Sequence, residues 1–392
     1  QTTVEVLDDG LPYVITGDIP AMWLRDSATQ IHPYILFARD HTQLRPIITG
    51  VIQRQAIQIL HDAYANAFNR EMNGQGHQTD RTQMSPLIWE RKFELDSLCF
   101  PVWLCREYWD ATQDQSVFTK EVHRMFERIV EVMKIEQHHD EHSSYSFQRD
   151  DRLLPSDTLP LNGKGTRTNV TGMVWSGFRP SDDACKFGYH IPDNMFAAVI
   201  LGYIAEFAQS IYDDIPLCEQ AKALEEQIRF GIDTYAIVDH PKYGRIYAYE
   251  TDGFGNYNLM DDAGVPSLLS MPYLDYCKAD DDLYQNTRAF ILSDANPTYY
   301  EGQFARGVGS PHTPGRRVWH LGLLMQGLTA SSLQEQEDIL AMVLNTTDGT
   351  GYMHESFDPD DPSDYSRAWF AWANSLFSEF ILTWLENVEE ER

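Results

Sequence analysis

Apolar residues recur along the chain at intervals of three and four, the spacing that lines one face of a helix. Residues 43–68 carry Ile47, Ile48, Val51, Ile52, Ile57 and Leu60 in this register. Residues 92–112 carry Leu98, Val102, Leu104, Tyr108 and Trp109. The same pattern predicts helices over 115–136, 192–212, 215–236, 281–293, 316–330, 332–345 and 365–388. Ser331 and Ser332 precede Leu333, where a hydroxyl caps free amides. Pro192 suits a first turn, where no N–H is required. Strand patterns are few; Arg245–Tyr249 is the best, in a small hairpin.

A chain of roughly ten to twelve helices needs a way to bury one face of each. Antiparallel pairs arranged in a ring, an α/α toroid, are one economical solution. A helical solenoid is the alternative, but no repeat of fixed period is present. Without a low-complexity linker or a shift in composition, a single domain over 1–392 is expected.

Composition narrows the function classes. The hydrophobic fraction is 43% and the aromatic fraction 12%, enough to build a large core and to exclude a disordered acidic chain. The net charge of −29 repels phosphate backbones and anionic lipid, so no nucleic-acid and no membrane partner is expected. No run of 18 apolar residues suggests a membrane span. The five cysteines form no CxxC and read as buried free thiols. They favour a cytoplasmic location. Sequons at Asn169 and Asn345 leave secretion as the alternative, should a leader precede Gln1.

Four stretches carry chemistry. In Gly17–Ser27 (GDIPAMWLRDS), Trp23, Arg25 and Asp26 meet at a loop-to-helix junction. Arg offers a fork of donors, Asp paired acceptors and Trp an apolar face, together suiting a sugar ring. An ion pair beside a buried Trp explains the same residues. WERKFELDS (89–97) places carboxylates, Asp96 among them, just before an apolar helix, as a plain helix start also would. VWSGFRPSDDA (174–184) puts Trp175, Arg179 and the adjacent acids Asp182 and Asp183 on one turn-rich loop. One acid faces a cleft there while the other orients neighbours, or both cap the next segment.

The fourth stretch, GYMHESFDPDDP (351–362), flanks Glu355 with His354 and aromatics that would desolvate it. Behind it, Trp369 and Trp372 share a helix face at i, i+3, one for the cleft and one for packing. Asp358, Asp360, Asp361 and Asp364 fail the EF-hand spacing. Glu250 and Asp252 sit in a glycine-rich aromatic loop, and His320 begins a helix. His138, His139 and His142 read as a solvated polar loop rather than a metal cluster. HExxH, GxSxG, P-loop and dinucleotide fingerprints are all absent.

Taken in order, GDIPAMWLRDS, YANAFN (64–69), WERKFELDSLCFP, GMVWSGFRPSDDAC, IPDNMFA, HESFD and RAWFAWANSLF resemble the bacterial and fungal α-mannosidases of glycoside hydrolase family 125. The resemblance covers nearly the whole chain. It implies an all-α (α/α)6 barrel that removes non-reducing terminal α-1,6-linked mannose from oligosaccharides or N-glycans, with inversion and without metal or cofactor. It implies Asp182 as general acid, Glu355 as general base, and Trp23, Arg25 and Asp26 in the −1 subsite. Asp96, Trp175, Arg179, Asp183, Asn194, Glu250, His320, His354 and Trp369 are further expected sugar contacts, and a monomer is expected.

Inverting hydrolysis requires the two carboxyls roughly 6.5–9.5 Å apart. It also requires a protonated Asp182, with burial or Asp183 expected to raise its pKa. Should Glu355 not serve, Asp183, Glu94 or Asp96 are the alternative bases. A glucoamylase-like hydrolase, an epimerase centred on His320 and His354, and a non-catalytic glycan binder are the rival readings.

Overall fold

In the computed structural model, which describes residues 3–390, every helix predicted from the apolar spacing is present. They are Arg45–His61, Leu95–Thr112, Lys120–Glu136, Ile191–Ser210, Ile215–Tyr235, Asp282–Ile291, His320–Leu328, Leu333–Asn345 and Ala371–Glu390. Another, Leu24–Ile31, follows the Trp23 junction. Four boundaries differ from expectation by four residues or more. The helix predicted from 115 begins at Lys120, capped by Thr119 after the short turn Gln115–Val117, and the helix predicted from 316 begins at His320 because Val318–Trp319 is a strand. The helix predicted over 43–68 stops at His61 because Asp62 turns to an extended conformation and Ala67–Phe68 is a strand. The helix predicted from 365 begins at Ala371 because Asp361–Ser366 is a strand.

Burial patterns sort the helices into two layers. Lys120–Glu136 buries one face, including Val122, Phe126, Ile129 and Met133, and is charged elsewhere. Such a helix belongs on the outside. Ile191–Ser210 is buried around most of its circumference and so must lie inside. By length and composition it is apolar enough to cross a membrane, yet here it packs between Leu95–Thr112 and Ile215–Tyr235. Leu24–Ile31, Leu95–Thr112, Ile191–Ser210, His320–Leu328 and Ala371–Glu390 form the inner layer. The last packs on the first and closes the ring.

The sixth inner position is built from turns over 267–276, flanked and interrupted by Pro266 and Pro272, which cannot sustain a helical ladder. This segment is tied in by Tyr203 donating to Asp275 (3.1 Å) and Tyr273 donating to Glu379 (2.7 Å). Outside lie Arg45–His61, Lys120–Glu136, Ile215–Tyr235, Asp282–Ile291 and Leu333–Asn345. The architecture is an (α/α)6 barrel.

Short antiparallel sheets complete the fold. Ile237–His240 and Gly244–Tyr247 form a hairpin close to the one expected. Met22–Trp23, Tyr189–His190 and Val318–Trp319 each run directly into an inner helix. Ile88–Glu90 precedes Leu95, and Phe370, bridged to Gly17, precedes Ala371. Gly17 has φ +113°, and a Cβ there would sit 2.5 Å from the Trp369 carbonyl, so only glycine lets these segments meet. Five inner-helix N-termini thus gather at one mouth of the barrel.

The opposite end of the inner layer is pinned by His32. Its Nδ1 lies 2.8 Å from Glu379 and its Nε2 3.6 Å from Glu107, with the ring 4.1 Å from Trp103. Burial disfavours the imidazolium, but the two carboxylates outweigh it and raise His32 to about 9. A raised folded-state pKa adds stability that is full below the unfolded value near 6.5 and lost as pH climbs through 9. Denaturant titrations of wild type and His32→Gln should therefore show a stability gap that narrows by on the order of 2 kcal/mol between about pH 6 and pH 10. A gap of equal size at both pH values would refute this ion pair.

Candidate active site

The first turn of Leu24–Ile31 carries Arg25 and Asp26 to the mouth. Trp23, at the end of the sheet formed with Ala67–Phe68 and Ile88–Glu90, stands beside them. Arg25 is buried among acids. Its Nη1 donates to Glu94 (2.9 Å) and Asp96 (3.0 Å), its Nη2 is 3.6 Å from Asp182, and its Nε is 3.8 Å from Asp26. Trp372 covers the guanidinium, 5.4 Å from the ring centre. Burial, opposed by Arg25, pushes Asp26 up to about 6.

Asp182 sits on a turn held from several sides. The Asp182 amide donates to the Arg179 carbonyl (2.9 Å) and the Arg179 amide to the Asp183 carbonyl (2.8 Å). Asp182 itself has φ +69°, a left-handed conformation rare for a non-glycine residue. Arg179 Nε donates to Glu250 (2.7 Å), which also accepts from the amides of Lys186 and Phe187. Ser181 donates to Asp262 (2.8 Å), and the buried Lys92 ammonium donates to the Asp182 carbonyl (2.8 Å). The adjacent acids diverge. Asp182, 30% exposed at its side chain, faces the pocket. Asp183 is buried and accepts from Ser156 Oγ (2.9 Å) and His312 Nδ1 (3.1 Å).

The expected rise in the Asp182 pKa is corrected by its cations. Burial does push it up, but Lys92, the hydrogen bond with Glu94, Arg25 and His312 bring it down to about 2. Glu94 moves the opposite way, well above the carboxylate range, because it is buried and faces Asp182 and Asp96.

Glu355 lies on the other wall, immediately before strand Ser356–Asp358, which pairs with Val318–Trp319 and Asp361–Ser366. It is 8% exposed. Ser366 Oγ donates to its Oε2 (2.9 Å), and Arg367 Nη1 is 3.6 Å from its Oε1. Arg367, also left-handed at φ +49°, binds Asp18 through Nε (3.0 Å) and so ties the N-terminal loop to this strand.

Between these walls is an open pocket with about 400 Å³ of empty space. Trp23, Arg25, Asp26, Asp182 and Glu355 all line it. Of the two tryptophans expected to divide cleft and packing roles, Trp372 is the one that lines it; His312, Trp319 and Arg367 line it too, and were not singled out as pocket residues from the sequence. His312 is raised to about 9: burial opposes the charge, but Asp183, Asp182 and Glu355 favour it. Its only sequence signal is the Gly/Ser/Pro/Thr loop 309–315, composed like the loop that bears Asp182.

The remaining expected contacts lie behind this surface. Arg179 and Glu250 pair beneath the Asp182 turn, and Asp96 sits under Arg25. Trp175 is core, stacked 3.5 Å from His139. Asn194 bonds the Val174 amide (2.7 Å) and carbonyl (2.9 Å). His320 contacts the His354 carbonyl (3.0 Å) and Thr346 (3.1 Å), and burial lowers it to about 3. His354 stacks on Tyr365 at 3.7 Å. Trp369 precedes the last helix and lines a separate apolar groove, so it does not share a helix face with Trp372. Each was singled out for its residue type, but burial in the core or pairing with a neighbour fixes its direction.

Other polar clusters have structural partners. His139 is buried against Glu136 (2.6 Å) rather than solvated. Asp360 and Asp364 pair with Arg316 and Arg317. Asp252 caps its own turn through Phe254 and Asn256. Among the described residues His123, Glu127 and Asp214 are spaced to hold a metal ion, away from the pocket wall.

The chain matches the family described as metal-independent alpha-mannosidase (GH125) over residues 1–382. A solved Streptococcus pneumoniae structure from this group of metal-independent α-mannosidases, described as a non-productive complex with α-1,6-mannobiose, is 46% identical. It has a TM-score of 0.96 and covers 98% of this chain and 90% of its own. The Meiotically up-regulated gene 157 protein of Schizosaccharomyces pombe is 41% identical over 95% of this chain and 76% of its own length. A glucoamylase from Saccharomycopsis fibuligera, 12% identical with a TM-score of 0.62 over 95% of this chain and 89% of its own, shares the fold alone. The chain is therefore a glycoside hydrolase and an α-mannosidase, a member of glycoside hydrolase family 125.

Proposed function

We propose that this enzyme removes single non-reducing terminal α-1,6-linked mannose residues from neutral oligosaccharides such as N-glycan fragments, with inversion at the anomeric carbon. The observation that carries the reading is that Asp182 and Glu355, on separate walls, both reach one small open pocket. The α-1,6-mannobiose bound by the S. pneumoniae relative supports the linkage.

In this mechanism Asp182 donates a proton to the glycosidic oxygen as the bond from that oxygen to the anomeric carbon breaks. Glu355 accepts a proton from a water molecule whose oxygen attacks the opposite face of that carbon. Ser366 already occupies Glu355 Oε2, which leaves Oε1 for the water. Trp23 offers an apolar face to the ring, and Asp26 and the walls around it hold the sugar for in-line attack. A neutral substrate is unaffected by the acidic surface, which disfavours anionic ones.

Proton NMR during hydrolysis of α-1,6-mannobiose should show β-mannose first, with α-mannose growing in only by mutarotation. Initial α-mannose would exclude inversion. Asp182→Asn and Glu355→Gln should each lower kcat by about 10²–10⁴-fold without unfolding the barrel. Near-normal turnover by Glu355→Gln would move the base to another carboxylate.

A further inference from the structure

We infer that Glu94 is the positioning partner of Asp182, sharing one proton with it across a buried carboxyl–carboxylate contact and passing that proton to Asp182 when a sugar enters the pocket. The inference rests on Asp182 being the general acid, and it extends that reading to where the acid's proton resides.

The geometry favours a shared proton. Arg25 is one cation facing four carboxylates: Asp26, Glu94, Asp96 and Asp182. Glu94 Oε2 is taken by Arg25 Nη1 (2.9 Å) and Ser97 Oγ (3.1 Å), and its Oε1 accepts from Asn66 Nδ2 at 3.3 Å. Asp182 Oδ1 is a buried oxygen with no hydrogen-bond donor, 3.6 Å from Arg25 Nη2. Glu94 and Asp182 thus face the two terminal nitrogens of the same guanidinium, Nη1 and Nη2, which brings the two carboxyls together. Two ionised carboxylates held this close repel and have no donor between them, whereas one shared proton relieves both problems.

The resting proton belongs on Glu94, which is fully enclosed, whereas Asp182 is 30% exposed and faces Lys92 and His312. Other titratable or charged groups around the pair are Arg25 and Asp26 on the first inner helix and Asp96 on the next. Glu90 precedes Lys92, and Cys185 lies beyond the Asp182 turn.

Sugar binding reverses the preference. A ring seated in the pocket removes water from Asp182 and not from Glu94, so the charge on Asp182 becomes the costlier one. The proton crosses, leaving Glu94 as carboxylate against Arg25 and Asp182 as acid. Asp182 then gives the proton to the departing oxygen while Glu355 takes one from water. Solvent recharges the pair after product leaves.

The test compares α-1,6-mannobiose, whose leaving group needs a proton, with a dinitrophenyl α-mannoside, whose leaving group does not. For Glu94→Gln, which can neither carry nor pass on the proton and leaves more of the Arg25 charge to hold Asp182 ionised, kcat on mannobiose should fall by about 30–100-fold with KM little changed. The alkaline limb of kcat/KM should move to lower pH by about one unit or more. Turnover of the activated substrate should stay within about threefold. Asp96→Asn, which loosens Arg25 without touching Asp182, should affect both substrates alike. If Glu94→Gln slows both substrates equally with an unmoved alkaline limb, Glu94 is a structural anchor and the inference is overturned. Should the Gln variant not fold, Glu94→Asp, which withdraws the carboxyl by one methylene, carries the same comparison. The parent assignment is read separately. If Asp182→Asn slows both substrates equally, Asp182 is not the acid and both readings fall; if it spares the activated one, only the role of Glu94 is at stake.

Discussion

One buried guanidinium organises the mouth of this barrel. Arg25 cannot lose its charge, and around it the chain folds acids from three separate segments: Asp26 beside it, Glu94 and Asp96 at the start of the next inner helix, and Asp182 on a distant loop. One guanidinium cannot by itself balance four acids that are largely withdrawn from water, even with Lys92 and His312 acting on Asp182. Some of these acids must keep their protons near neutral pH. Asp26 at about 6 and Asp96 at about 7 follow from that constraint, both driven first by burial.

The ring makes the crowding tolerable. Inner helices begin at the same mouth, and their unsatisfied amide ends place partial positive charge there. Asp26, Asp96 and Asp193 each occupy a first helical turn. A second buried network lies beneath. Arg149 bridges Asp80 (2.6 Å) and Glu90 (2.8 Å), and Lys92 joins Asp157 (3.2 Å) to the Asp182 carbonyl. The Lys92 tie under Asp182 and the Asp18 pair on Arg367 hold these two non-glycine residues in left-handed conformations beside the pocket. Backbone strain of this kind persists only where surrounding contacts over-determine it.

Several features were legible before any coordinates. Three-to-four spacing located the helices because burying an apolar stripe is the same problem wherever the helix sits. Its largest failures fell at the mouth, where the chain leaves the helical pattern after His61 and before Ala371 and forms the strands Ala67–Phe68 and Asp361–Ser366. Those strands brace the pocket residues, Ala67 pairing with Trp23 and Ser366 donating to Glu355, and their short length gives too little alternation to read. Trp23, Arg25, Asp26, Asp182 and Glu355 stood out by type and clustering, and all five reach the pocket. Trp175, Asn194, His320 and His354 stood out for the same reasons and are buried supports.

The sequence alone determined the helical class, the ring as one economical packing, and the short runs where charged and aromatic residues concentrate. Those are local properties, set by spacing and side-chain chemistry within a few turns. Tertiary structure alone decided which of two adjacent acids faces the pocket, which of two tryptophans covers Arg25, and that His312 joins them from a separate loop. It also decided the protonation of the acids. The pKa of Asp182 depends on Lys92, Glu94, Arg25 and His312, residues up to 157 positions apart along the chain, and electrostatic energy follows distance in space, not order in sequence.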